Sequence, residues 1–323
     1  MWRKVSAVVI PTLIACGILA YMLWRVWDDL VITLVHADPL YLAVAVLVCA
    51  IAWIMRGWRY RSILGGLAVR IALVFSTACI LLSQTANLIV PARLGDLVRI
   101  FILKHEDLAT YSQGVSSLVV ERIFDVVTIA LLGLVALPFV IETPEWFLPL
   151  IAVPIVGGAV FAAFLLLMGD RHSENRYLGI VYGMLAEIRA ASLNARALLV
   201  LGASSIAIWL ADILVCAVVV LMFGESIPFM VVVLAIVIGN LVKAVPITPG
   251  GVGTYEFALA ITFELAGTAP ATATVIAVVD HLIKNLVTLV GGIGSLYYFG
   301  DWSVHLMKRS FHEGLSREEL REP

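Results

Sequence analysis

Two short charged groups stand inside long apolar runs: Glu121-Arg122-x-x-Asp125 and Asp280-His281-x-x-Lys284-Asn285. Residues four apart share a helix face, so Glu121 and Asp125 point together, as do Asp280 and Lys284. A charge near the centre of a membrane helix costs about 2.5–3.5 kcal/mol, and such charges line a bundle interior, a cavity or a pathway. The chemistry on offer is the passage of a polar or ionic group through an apolar medium. The competing reading is structural, with Arg122 pairing with Asp125, or Asp280 with Lys284, to hold helices together. His281 suits a proton carrier, and equally a hydrogen-bonding group beside Asp280.

Two further groups sit where apolar runs are broken. The stretch VPITPGGVGTYEFALA, Val245 to Ala260, holds Pro246, Pro249, Gly250, Gly251 and Gly253. Proline removes a backbone donor, and each glycine costs about 1 kcal/mol in a helix interior. Glu256 follows the last of these glycines and either caps a returning half-helix, as acids do at a helix N-terminus, or meets a cargo. At an earlier break Arg93 and Asp96 flank Gly95. The planar fork of Arg93 suits a phosphate; the alternative is an ordinary interfacial pair. Lys243 either snorkels to the surface or enters a cavity, and Asp212 is a weaker candidate. Gly291, Gly292, Gly294 and Ser295 suit close helix packing.

The elements that must carry these residues are membrane helices. Of 323 residues 62% are hydrophobic and 14% charged, and apolar runs near 20 residues recur throughout, which places the chain in the all-α, polytopic membrane class. Full spans are expected at about 5–24, 39–55, 113–141, 147–168, 197–222 and 270–298, with less regular apolar stretches at 71–91 and 228–268. The first is expected to be an uncleaved helix. Trp24, Trp27, Trp53, Trp58, Trp146 and Trp302 mark span ends, as an interfacial belt would. Positive charge puts both termini in the cytoplasm, along with Arg56, Arg59, Arg61, Arg70, Arg93, Arg99 and Lys104. The stretch 71–91 then lies between two cytoplasmic basic segments and is expected to enter the membrane and return. By the same count 228–268 enters from the other face. Irregular backbone at such depth is tolerated where protein covers it or water reaches it.

The two breaks also match in spacing. Aligning Pro91 with Pro249 places Gly95 on Gly253; Glu121 then follows Gly95 by 26 residues (121 − 95) and Asp280 follows Gly253 by 27 (280 − 253). Such a pattern is expected of an inverted-topology repeat, with cores 71–141 and 228–298, which builds a transporter site from broken helices. The whole chain reads as one integral membrane domain. A cytoplasmic amphipathic segment is expected at 171–196, from Tyr177, Leu178, Val181, Met184, Leu185 and Ile188 at helical spacing, and a short charged tail at 301–323.

The net charge of −2 gives no sign of a nucleic-acid partner. Cys16, Cys49, Cys79 and Cys216 lie far apart with no CxxC, so neither a metal nor a disulfide framework is expected; they read as small buried hydrophobes. No G-x-x-x-x-G-K-[ST], H-E-x-x-H or G-x-S-x-G occurs. No cofactor and no enzymatic activity are expected.

Pro91-Ala-Arg93-Leu-Gly95-Asp96, Glu121-Arg122-x-x-Asp125 and Pro249-Gly250-Gly251-Val-Gly253-x-x-Glu256 together resemble the flippase-like transmembrane family, over most of the chain. That family includes the membrane region of lysylphosphatidylglycerol synthases and stand-alone YbhN-like proteins. Ala92 stands where the family often carries glycine. The chain ends at Pro323 without a soluble aminoacyl-transferase domain, so the resemblance implies the translocating half.

It implies a lipid translocator in a bacterial inner membrane, moving a phospholipid, aminoacyl-phospholipid, glycolipid or hopanoid between leaflets. Arg93, Asp96, Glu121, Arg122 and Asp125 would form one half of a polar groove, and Glu256, Asp280, His281, Lys284 and Asn285 the other. The tips, Pro91 and Gly95 against Pro249, Gly250, Gly251 and Gly253, would meet between them. The alternative is a membrane scaffold that holds a lipid-synthesis enzyme and transports nothing.

Overall fold

The computed structural model describes residues 16–24, 27, 38–90, 93–140, 145–169, 173, 175–245 and 248–300. Residues 16–24 are helical, and the expected start of that first span lies outside the described residues. Among the described residues ten α-helices then follow in order. They are α1 (Pro39–Gly66), α2 (Leu73–Ile89), α3 (Asp96–His105), α4 (Tyr111–Ala136), α5 (Phe147–Met168), α6 (Arg176–Ser192), α7 (Ala195–Met222), α8 (Phe229–Ala244), α9 (Thr254–Leu265) and α10 (Pro270–Phe299). Among the described residues, α1, α5, α7 and α10 are long and apolar enough to cross a membrane. The α4 helix has the length, 26 residues, but carries Glu121, Arg122 and Asp125 in its middle turns. The chain is a polytopic helical membrane protein.

Local sequence sets the helix ends. Asp38 caps α1, accepting from the Leu40 amide at 2.9 Å, and Pro39 follows at the first helical position, where its missing donor costs nothing. Thr110 and Gln113 close a reciprocal capping box on α4. Asn175 and Asn194 cap α6 and α7. The α1 helix runs on to Gly66 rather than ending near residue 55. Arg56 and Arg59, expected in a cytoplasmic loop, therefore stand within the helix.

The stretch 228–268 holds two helices, α8 and α9, whereas 71–91 holds the single helix α2, and its partner α3 follows in the segment expected to be a cytoplasmic loop; each unit is a pair of helices on either side of a break. Their packing is reciprocal. The long α10 packs along α2, and the long α4 packs along α8. Small residues allow the first of these contacts. A Cβ on Gly292 would fall 2.6 Å from Thr85 Cβ, and one on Gly291 2.8 Å from a Leu81 methyl, whereas Gly294 faces open space. Thr85 Oγ1 donates to the Thr288 carbonyl at 3.0 Å. The α1 and α7 helices run antiparallel, tied at one end by Asp38 N–H to the Met222 carbonyl at 3.0 Å and further along by Arg56 and Asp212.

The amphipathic segment is the helix α6, and it packs on α4: Glu187 accepts from Ser112 at 2.8 Å and from Ser116 at 2.7 Å. Trp24, Trp27, Trp58 and Trp146 are exposed, as a belt requires, but Trp53 is half-buried and faces inward; Trp302 lies outside the described residues. All four cysteines are free; Cys49, Cys79 and Cys216 are buried, while Cys16 is exposed.

Candidate functional site: a polar cavity between two broken helices

The two breaks meet. The Arg93 guanidinium donates to the Lys243 carbonyl at the end of α8, 3.2 Å away, and Gly250 sits against Leu88 of α2. Around this junction is a cavity of about 180 Å³. Asp125 of α4, Asp212 of α7 and Lys284 of α10 face it, each near the middle of its helix.

On one side stand the charges of α1, α3 and α4. Arg59 Nη1 donates to Asp125 Oδ1 at 2.6 Å and to Ser205 of α7 at 2.9 Å, and its other amino group lies 3.8 Å from Glu121. Arg99 donates to Glu121 Oε2 at 2.5 Å and lies over the Tyr60 ring, 4.8 Å from its centroid. Arg122 donates to Asp96 Oδ2 at 2.8 Å. The other Asp96 oxygen accepts from Asn87 at 2.9 Å and from Ser83 and Gln84 at 3.3 Å. Arg59 is 1% exposed. A cation so buried is tolerable only when paired and hydrogen-bonded.

On the other side stand α7 to α10. Lys284 Nζ lies 3.1 Å from Asp212, 3.0 Å from Asp280 and 3.3 Å from the Tyr255 hydroxyl. Tyr255 in turn donates to Asp280 at 2.8 Å, and Arg56 meets Asp212 at 3.3 Å. Beside this cluster runs a chain of three groups. Lys243 Nζ is 3.0 Å from His281 Nε2, His281 Nδ1 is 2.8 Å from Glu256 Oε1, and Glu256 Oε2 accepts the Gly253 amide at 2.8 Å. Glu256 thus caps α9 and orients His281 at once. An ammonium has no lone pair, so with Lys243 charged, His281 accepts at Nε2 and carries its proton on Nδ1.

The expected site residues come together in two layers. Arg93, Glu121, Arg122, Asp125, His281, Lys284 and Asn285 line the cavity, with Gly250 and Gly251. Asp96, Glu256 and Asp280 stand behind them as partners of Arg122, His281 and Lys284. The expected Arg122–Asp125 pair is long, 3.8 Å, and the close partner is Asp96. Pro91 and Ala92 lie outside the described residues, as does Pro246.

The two tips are not alike in detail. Gly253 has φ 83°, but Gly95 has a helical φ of −58°. Gly95 is needed for close approach instead: a Cβ there would fall 2.7 Å from the Ala86 carbonyl carbon. The left-handed backbone of the first tip falls on Arg93, φ 54°, which the proline alignment places opposite Gly251, φ 78°. A non-glycine residue in that region is strained by about 1–3 kcal/mol, and such strain clusters at functional sites.

Composition and spacing alone missed Arg56, Arg59, Arg99 and Tyr255, and ranked Asp212 too low. The signal for the first two was Trp53-x-x-Arg56-x-x-Arg59, a one-face helical spacing without a proline to end the helix.

The sequence profile of the family described as Lysylphosphatidylglycerol synthase TM region matches residues 8–292. Among curated proteins, "Glycosyltransferase AglD" of Haloferax volcanii is 34% identical over 314 residues, covering 83% of this chain and 50% of that protein. This chain therefore spans about half the length of that relative. A "UPF0104 membrane protein" of Methanothermobacter thermautotrophicus is 22% identical over 294 residues, covering 82% of this chain and 87% of the relative. Another, from Methanocaldococcus jannaschii, is 28% identical over 218 residues, covering 64% and 91%. No solved structure gives a significant match.

Proposed function

Because the chain belongs to the family of the lysylphosphatidylglycerol synthase transmembrane region, we propose that it is a lipid translocator and not an enzyme. A lipid with a polar head, whether phospholipid, aminoacyl-phospholipid, glycolipid or hopanoid, moves between leaflets while its tail stays in the membrane. The observation that carries this reading is the polar cavity at mid-height, walled by paired acids and bases from both broken-helix units. Such a wall lowers the cost of desolvating a head group. The reading includes an inverted repeat: α2–α4 and α8–α10 enter from opposite faces and rock against each other. Its setting is the cytoplasmic membrane, the bacterial one expected from the sequence or the archaeal equivalent suggested by the named relatives, with both termini inside.

The test is leaflet exchange of labelled lipids in proteoliposomes, wild type beside Asp280→Asn and Glu121→Gln, each first checked for folding. Exchange by the wild type that is lost in folded variants supports the cavity as the path. A wild type that exchanges none of the four head-group classes, with or without an imposed ion gradient, removes the reading.

A second reading has one observation in its favour. The relative named a glycosyltransferase matches this chain over half its length, so this membrane unit has a counterpart joined to further sequence. In that reading the chain holds a lipid-glycosylating enzyme at the membrane and moves nothing. Co-purification of such an enzyme with variants and wild type alike, without exchange, would favour it.

A further inference from the structure

Five cations line the cavity: Arg56, Arg93, Arg122, Lys243 and Lys284. Three have a carboxylate in reach. Arg56 meets Asp212 at 3.3 Å, Arg122 meets Asp96 at 2.8 Å and Lys284 meets Asp212 at 3.1 Å. Arg93 and Lys243 differ: among the described residues neither has a carboxylate within 4.0 Å. Arg93 holds only a backbone carbonyl, and Lys243 holds the neutral face of His281. These are the two cations at the junction of the tips, and the carbonyl that Arg93 touches belongs to Lys243 itself.

A positive charge in a low-dielectric wall with no carboxylate in direct contact is costly and draws a counter-ion. Arginine and lysine together match a phosphate: a planar fork for two oxygens and a point charge for a third. Lys243 is steadied by the Tyr255 ring, 5.3 Å from its centroid. Arg93 is held in the left-handed region, φ 54°, a strain that the break must be built to keep. The same cavity is lined by Trp53 and Trp209. Their buried indole Nε1 donors have no partner among the described residues, so further N–H groups are at hand.

We propose that Arg93 and Lys243 form an anion subsite for the phosphate group of a lipid, and that the phosphate replaces the Lys243 carbonyl as the acceptor of Arg93. The inference rests on the translocator reading and deepens it. Cargo and tip contact then compete for one guanidinium, so binding the head group releases the side-chain bond that joins the two breaks. Uncharged heads lack this exchange and are bound more weakly.

The test is binding to the full chain, purified in an uncharged detergent, by native mass spectrometry. The probes are dioleoyl phosphatidic acid, dioleoyl phosphatidylglycerol, monogalactosyl diacylglycerol and inorganic phosphate. The two phospholipids are expected to bind roughly tenfold or more tighter than the galactolipid, and Arg93→Gln or Lys243→Gln to remove roughly tenfold each. Lys104→Gln, at the far end of α3, leaves the preference unchanged.

Equal binding of the galactolipid by the wild type overturns the subsite, as does an intact phosphate preference in both folded variants. Inorganic phosphate that displaces phosphatidic acid at equal concentration overturns the assignment to a lipid. If neither variant folds, the wild-type comparison decides alone. Leaflet exchange is measured separately on the same preparation. Phosphate preference without exchange keeps the subsite and removes transport. Exchange of the galactolipid as fast as the phospholipids keeps transport and removes the subsite.

Discussion

Arg93 reaches across 150 positions of sequence to the backbone carbonyl of Lys243, 3.2 Å away. One break in the apolar pattern thereby holds the other. The residue that makes the link is itself in a backbone conformation that suits glycine. That combination separates a functional role from a structural one. In Arg93→Gly the relief of strain, about 1–3 kcal/mol, offsets the lost hydrogen bond of about 1 kcal/mol. Thermal unfolding in detergent should therefore show stability equal to or above wild type, while leaflet exchange falls. A variant that unfolds earlier and still exchanges lipid would contradict this.

Asp280 accepts from Tyr255 and Lys284 and is 0% exposed. Breaking a buried pair by removing one partner costs about 3–5 kcal/mol. Asp280→Asn keeps the shape, and Lys284 retains Asp212 at 3.1 Å, so the loss should fall at or below the low end of that range. Asp280→Ala should lose more. Denaturation of the two variants side by side checks the order.

Arg59 joins three helices, with Asp125 on α4 and Ser205 on α7. A double-mutant cycle on Arg59→Met and Asp125→Asn should give a coupling energy of about 0.5–3 kcal/mol, the range for residues in one network. Strict additivity would mean that the pair is not formed in the membrane.

The order Lys243–His281–Glu256 fixes a tautomer. The side-chain nitrogen resonances of His281 should show a protonated Nδ1 and an unprotonated Nε2 in the resting protein. In Lys243→Met the acceptor role of Nε2 is no longer required, and the two tautomers should mix. Resonances of an imidazolium in the wild type would overturn the assignment of Lys243 as the charged partner.

Two glycines on one helix should behave oppositely. Gly292→Ala places a methyl 2.6 Å from Thr85 Cβ and should destabilise by about 1–3 kcal/mol through overpacking. Gly294→Ala meets nothing within 4 Å and should stabilise by up to about 1 kcal/mol. Unfolding midpoints for the two variants, measured together, give the comparison.

Much of this was legible beforehand because membrane helices are coded by long apolar runs, and charges inside them have few places to go. Glu121, Asp125, Asp280 and Lys284 were found that way, and the breaks at Gly95 and Gly253 by composition. Arg56, Arg59 and Arg99 were not. Counting positive charges assigns an arginine near the end of an apolar run to the cytoplasm. It cannot see that α1 continues for three more turns and buries that arginine against a carboxylate of another helix. The proline alignment paired the two breaks in sequence, yet it said nothing of which residues would take left-handed backbone, and one of them is Arg93. Nor could it foretell that the matched glycines would differ, since Gly95 is demanded by a neighbour, Asn87, rather than by its own backbone.

The crosswise packing of α10 on α2 bears on how the chain is made. Thr85 waits for Thr288, 203 positions later. During synthesis the first broken helix enters the membrane long before its cover exists. Contacts of such separation are slow to form and leave early segments exposed meanwhile. Among the described helices, the one made latest thus completes the first half of the molecule. A nascent chain released before Pro270 would hold α2 and α3 without the helix that closes them, a ready substrate for membrane quality control.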